Sequence, residues 1–119
     1  MKFRAKKAFC ANHHTHDSKA EAMRCDELHE RQARGEITHL SVHPKFLFVI
    51  DGRQLKHSNG RRVGYTGDFQ YFEGDRNVVE DVKPKSRLAI SRDWPLRKAV
   101  FQALFPFIDL REIVDPKGR

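Results

Sequence analysis

Strict alternation of apolar and polar positions dominates the middle of the chain. Tyr65-Thr-Gly-Asp-Phe-Gln-Tyr-Phe72 and Val78-Val-Glu-Asp-Val-Lys83 are rich in aromatic and β-branched residues, and Glu73-Gly-Asp-Arg-Asn77 between them is turn chemistry. The pattern predicts a β-hairpin of two unbroken strands. If the hairpin is symmetric about the Gly74–Asp75 bond, Asp68 falls directly opposite Asp81. Alternation then puts Thr66, Asp68, Gln70, Val79, Asp81 and Lys83 on one face, which should carry chemistry. Gly67, Phe69, Tyr71, Val78, Glu80 and Val82 take the other, which should be core.

On either side of the hairpin the period changes. Asp17 to Gly35 reads as a helix with Asp or Ser at the N-cap and glycine at its end. Ser18 and Glu21 satisfy a capping-box spacing, while Glu21, Cys25 and Leu28 share one inward stripe, so the Glu21 carboxylate is aimed at the core side. Arg24, Asp26, Glu27, Glu30 and Arg31 read as a solvated face. Ile37 to His43 predicts a modest strand ended by Pro44, and Phe46-Leu-Phe-Val-Ile50 a buried one. The turn signals Asp51-Gly52 and Asn59-Gly60 make Arg53 to Arg62 an exposed excursion. After Pro84 and a basic segment to Arg92, Asp93 to Phe105 predicts a helix with Pro95 in its first turn and Leu96, Val100, Ala103 and Leu104 as its apolar stripe. Trp94 should pack on the core. A last strand, Ile108 to Val114, follows. The element order predicts one α/β domain spanning 1–119, with no internal repeat.

Charge adds a partner class. The 119 residues carry 23 Lys and Arg against 16 Asp and Glu, a formal charge of +7, which suits a polyanion such as DNA. The clusters most suited to phosphate contacts are Lys6 and Lys7, Arg61 and Arg62, and Lys85, Arg87, Arg97 and Lys98. No apolar run is long enough for a signal peptide or a membrane span, so a cytoplasmic protein without membrane partners is expected. Cys10 and Cys25 are then reduced thiols. With His13, His14, His16 and His29 they loosely match a zinc spacing, but Cys25 on the inner stripe reads as a buried structural thiol, so zinc is not expected.

Two acids facing each other across a strand pair repel unless something positive lies between them, and a hard divalent cation fits. Gly67-Asp68 followed by Asp81-Val82-Lys83, with Glu21 on an upstream helix, resembles the PD-(D/E)XK nuclease superfamily. His14 to Ala22, Gly35-Glu-Ile37, Pro44-Lys-Phe46, Tyr65 to Phe69 and Val79 to Lys83 together resemble a family of small bacteriophage and prophage proteins of that superfamily, without assigned function. The Tyr-Thr-x-Asp-Phe element is also similar to that of a phage junction-resolving endonuclease.

The resemblance implies a restriction-endonuclease-like domain with a central mixed sheet flanked by helices (αβββαβ core), in a bacterial host cell. It implies Mg²⁺- or Mn²⁺-dependent endonuclease activity on branched or structured DNA, such as a four-way Holliday junction, in phage recombination or replication. A homodimer is expected if both junction strands are cut. Asp68 and Asp81 would hold metal with the Val82 carbonyl, Glu21 a second metal or its water, and Lys83 would orient the attacking water. Glu80 would be a supporting acid that exchanges with Asp81 if the strand bulges. The alternative is a DNA-binding accessory that keeps the nuclease fold without cutting. Two departures stand out: Gly67 replaces the proline of the superfamily's name, which is expected to be harmless, and the segment from Pro84 to Arg92 is unusually long and basic.

Overall fold

A two-residue turn sets the register of the whole sheet. In the computed structural model, which describes residues 8–10, 15–16, 18–84 and 90–114, strands β8 (Phe69–Glu73) and β9 (Arg76–Lys83) are joined through Gly74 and Asp75. Gly74 has φ 62°, a region that glycine enters without steric cost. Glu73 pairs with Arg76 and Phe69 with Glu80, the pair sum that the turn chemistry predicts; the pairing ends there, because the Asp68 N–H bonds the Glu80 carbonyl, and this corrects the expected placement of Asp68 directly opposite Asp81.

Around this hairpin lies a four-stranded mixed sheet in the order β10-β9-β8-β3, where β3 is Thr38–Val42 and β10 is Ile108–Val114. β10 runs parallel to β9, so a crossover is required, and α2 (Trp94–Leu104) supplies it. Helix α1 (Lys19–Ala33) precedes β3 and covers the other face. The result is an α/β domain with a mixed sheet between two helices. Among the described residues no helix is long and apolar enough to cross a membrane.

Two cores result, one on each face, which corrects the expected division into a chemical face and a core face. On the first, Ala22, Cys25 and Leu28 of α1 pack with Phe69, Tyr71 and Val78. On the second, Val79 packs with Tyr65, Phe48, Trp94 and Phe101. Asp81 and Lys83 share the face of Val79 and are therefore covered by α2 rather than solvent. Phe101 is fully buried and stacks on Phe105 at 5.0 Å, so its truncation to Ala would cost ~3–5 kcal/mol. The buried residues of α2 are Trp94 and Phe101, two turns apart, and Val100 and Leu104 pack beside them as expected; Leu96, 70% exposed, and Ala103 face outward, which corrects those two positions. The indole and phenyl rings bury more area than Leu96 and Ala103 would, and they set the rotation of the helix.

Smaller elements complete the chain. β1 (Ala8–Phe9) and β2 (Thr15–His16) form an antiparallel pair. The expected continuous strand Phe46 to Ile50 is two short pieces, β4 (Lys45–Leu47) and β5 (Val49–Ile50), broken at buried Phe48. The reason is local: Asp51 (φ 52°) and Gly52 (φ 76°) make a tight turn that folds β5 onto β6 (Arg53–Gln54), leaving Val49 and Ile50 exposed. Gln54 Nε2 ties this arm down by donating to the carbonyls of Phe48, Leu55 and Val63. β4 then pairs with β7 (Gly64–Thr66), so the expected strand from Tyr65 to Phe72 is also divided, at Gly67-Asp68.

Candidate metal centre

The division of that strand positions the first acid. Gly67 donates its N–H to the Pro44 carbonyl at 2.9 Å, and a Cβ at this position would meet Val79 Cγ1 at 2.8 Å. No side chain fits there, because Val79 is β-branched and held in the second core. The glycine is thus a packing requirement of this chain. One residue later, Asp68 N–H donates to the Glu80 carbonyl and the Asp68 carbonyl accepts from His43 N–H, both at 2.9 Å. The Asp68 carboxylate accepts from the Val82 amide at 2.6 Å.

Helix α1 delivers the second acid. Ser18 Oγ accepts from the Glu21 N–H at 3.2 Å, which caps the helix, and the Glu21 side chain is buried. Its carboxylate lies 2.9 Å from His43 Nε2 and is hydrogen-bonded to Asp68. His43 has φ 55°, a left-handed conformation at the end of β3 that turns the chain into Pro44. One ligand atom each from Glu21, His43 and Asp68 lie within 4.8 Å of one another. Burial first, then the hydrogen bond to Glu21 and its charge, push the Asp68 carboxyl up to about 8, against the pull of the Val82 amide.

An acid pushed up by burial and by a neighbouring carboxylate is the environment a divalent cation relieves, and the donor set fits one. Two carboxylates suit Mg²⁺, while the imidazole extends the set toward Mn²⁺ and Zn²⁺.

Beside this triad lies a second group. Asp81 accepts from Tyr65 OH at 2.5 Å through Oδ2 and pairs with Lys83 Nζ at 3.1 Å through Oδ1. Burial and the Asp81 carboxylate drive the Tyr65 hydroxyl far up from its ordinary pKa, so it stays a donor. Lys83 Nζ sits 3.5 Å from the centre of the Trp94 ring, and Trp94 Nε1 donates to Glu112 at 2.8 Å. The ammonium is thereby fixed between a carboxylate and an aromatic face. The negative charge of Asp81 reaches Asp68 and adds to its upward shift.

The model of the family described as "Protein of unknown function (DUF1064)" matches residues 1–117. The chain belongs to that family. No curated protein and no solved structure matches the chain.

Of the acids and the lysine singled out in the sequence, Glu21 and Asp68 meet directly, while Asp81 and Lys83 pair with each other alongside. Glu80 is fully buried on the α1 face, where it accepts from Tyr71 OH and receives Arg24 through Nε at 2.8 Å and Nη2 at 2.7 Å. Arg24 is therefore no solvated residue, and neither is Arg31, which bonds Glu73 at 2.8 Å and lies over Tyr71. Val82 contributes its amide to Asp68.

The basic residues are dispersed. Arg61, Arg62 and Arg97 line one concavity, Lys98 is paired with Glu112, and Lys6, Lys7, Lys85 and Arg87 lie outside the described residues, as does most of the basic segment before Arg92. Cys10 and Cys25 are buried and not joined by a disulfide, with Sγ atoms 3.3 Å apart, and Cys25 Sγ lies 3.6 Å from His29 Nδ1; His13 and His14 are outside the described residues. His43 is the residue the sequence reading passed over. Its signal was a histidine directly before a strand-ending proline, where the chain must turn sharply.

Proposed function

We propose that this protein is a metal-dependent endonuclease that hydrolyses DNA phosphodiesters, in a restriction-endonuclease-like fold of the PD-(D/E)XK type. The observation that carries this reading is the meeting of Glu21, His43 and Asp68 beside the Asp81–Lys83 pair at one end of the β8–β9 hairpin. The core order α1, β3, β8, β9, α2, β10 supports it, since it matches the helix-strand sequence expected of that superfamily. Glu21, Asp68 and His43 would hold the cation. When bound, a divalent cation supplies Lewis-acid stabilisation of the phosphorane and a water of lowered pKa. Lys83, its ammonium held in place by Asp81 and Trp94, would orient the attacking water and offset charge building on the phosphate oxygens. Tyr65, donating to the other Asp81 oxygen, orients that carboxylate toward Lys83. Glu80 supports the site from the opposite face by locking β9 to α1.

Branched or structured DNA is the substrate this reading favours, in phage recombination or replication, because recognition through phosphates selects shape over sequence. A dimer would supply two such sites to a junction. The decisive experiment incubates the purified protein with Mg²⁺ or Mn²⁺ on linear duplex, single-stranded, flapped and four-way DNA. Cleavage that is lost in Asp68→Asn supports the reading, with the branched substrates cut fastest; no cleavage of any substrate with either ion rejects it. A non-catalytic DNA-binding accessory is the second reading, favoured by the fact that both Asp81 oxygens already have protein partners. Tight binding of branched DNA without cutting would select it.

A further inference from the structure

The β4–β7 ribbon has two faces with opposite chemistry. On the inner face Phe46 and Tyr65, directly paired, stack against each other, and Tyr65 reaches Asp81. On the outer face Lys45 pairs with Thr66 and Leu47 with Gly64. A Cβ at Gly64 would strike the Phe46 carbonyl oxygen at 2.3 Å, so the floor of this face is bare backbone. Over it, the arm carrying His57, Arg61 and Arg62 and the side chain of Arg97 from α2 enclose a concavity of about 340 Å³. Arg97 is held in place by Asp93 at 2.6 Å and by the Gly64 carbonyl.

No acidic side chain is among the described residues lining this concavity. Lys45, Arg61 and Arg62 make no ion pair among the described residues either. Some surface cations elsewhere among the described residues are paired, Arg34 with Glu36, Arg76 with Asp109 and Lys98 with Glu112, and those that are not, such as Lys19, Arg53 and Arg92, do not line this concavity. A concave site that gathers unpaired guanidinium groups, a lysine and a histidine around exposed backbone is built for an anion with several acceptor oxygens. Its volume is at the lower end of the range of about 300–1,000 Å³ usual for ligand pockets, which suits a sugar-phosphate unit.

We propose that this pocket binds a phosphodiester group of the nucleic-acid strand, flanking the one that reaches the Asp68 and Asp81 carboxylates. The strand's identity rests on the nuclease reading. Thr66 lines the pocket and Asp68 follows two residues later, a chain separation of at most about 7 Å. One strand can therefore span both places, and the pocket adds positive charge beside the acidic centre.

The test is binding in EDTA, where no cleavage can occur, of a short fluorescein-labelled oligonucleotide as single strand and as duplex. Arg61→Ala combined with Arg62→Ala should weaken binding at least tenfold and reduce the slope of log affinity against log salt by about 1.4–1.8, two phosphate contacts' worth. Arg34→Ala combined with Arg76→Ala removes the same charge elsewhere and should change affinity less than twofold. Lys45→Ala is the second pocket variant should the double substitution melt early, and it should lower the slope by about 0.7–0.9. Equal losses in pocket and control variants, or oligonucleotide binding too weak to detect in the wild type, overturn the proposal. So does displacement of the oligonucleotide by inorganic phosphate or a nucleoside monophosphate at equal phosphate concentration, which would make the site one for free phosphates. Pocket-dependent binding by a protein that never cuts would remove the nuclease reading alone. Cutting by a protein whose binding ignores the pocket would remove this proposal alone.

Discussion

Asp68 and Glu21 lie carboxylate to carboxylate, joined by a hydrogen bond, with the Val82 amide as the donor that fixes Asp68 from the other side. The consequence is a stability that depends on pH in an unusual direction. Asp68 titrates near 3.8 when unfolded and near 8 when folded, so between those values the native state holds the extra proton. Stability contributed by this group is therefore complete below about pH 4 and is lost as pH rises toward about 8. Calorimetry in EDTA should show a melting temperature that falls over this range in wild type and a flatter profile in Asp68→Asn. Added Mn²⁺ should raise the melting temperature most at pH 8, where the proton no longer competes. An identical profile in Asp68→Asn would refute this assignment.

Activity should separate the acids by role. Asp68→Asn, Asp81→Asn and Lys83→Ala are each expected to reduce metal-dependent cleavage by a factor of about 10² or more while leaving far-ultraviolet circular dichroism unchanged. Glu21→Gln keeps the main-chain bond to Ser18 and so keeps the helix cap; it should lower cleavage and metal-induced stabilisation together. A variant of the first three that cuts at the wild-type rate would remove its residue from the mechanism.

His43 should govern which ion is preferred. Asn tolerates the left-handed backbone at this position, so His43→Asn isolates the loss of the imidazole. Titration should show Mn²⁺ affinity reduced roughly tenfold or more and Mg²⁺ affinity changed less, because only the softer ion gains from nitrogen. Equal losses for both ions would make His43 a structural partner of Glu21.

Gly67→Ala should destabilise by about 1–3 kcal/mol, since the new methyl must displace Val79 in a filled core. Gly67→Pro should cost more, because it also removes the N–H that bonds Pro44. Combining Gly67→Ala with Val79→Ala should recover part of the loss, and chemical denaturation of the three variants measures it.

What the sequence made legible was local chemistry with a fixed period. The turn at Gly74 and Asp75 determined the pair sum of the hairpin from Glu73 back to Phe69; β10 and α1 followed from their own patterns. What it hid were choices made by packing. The break at Gly67 comes from Val79, a residue on the next strand. The phase of α2 comes from the size of Trp94 and Phe101, and the inward turn of Arg24 from a carboxylate far along the chain at Glu80. His43 escaped because its place depends on a backbone conformation that period-2 reasoning does not see.

Trp94 is the chain's sole tryptophan, and its ring is the surface on which the Lys83 ammonium rests. The protein thus carries a built-in optical probe one contact from its candidate chemistry. Any event that moves the ammonium, whether a phosphate drawing it forward or the loss of Asp81 behind it, changes the charge felt by the indole and shifts its emission. Site occupancy can be followed by fluorescence in the unlabelled wild-type chain, with Lys83→Ala as the silent reference.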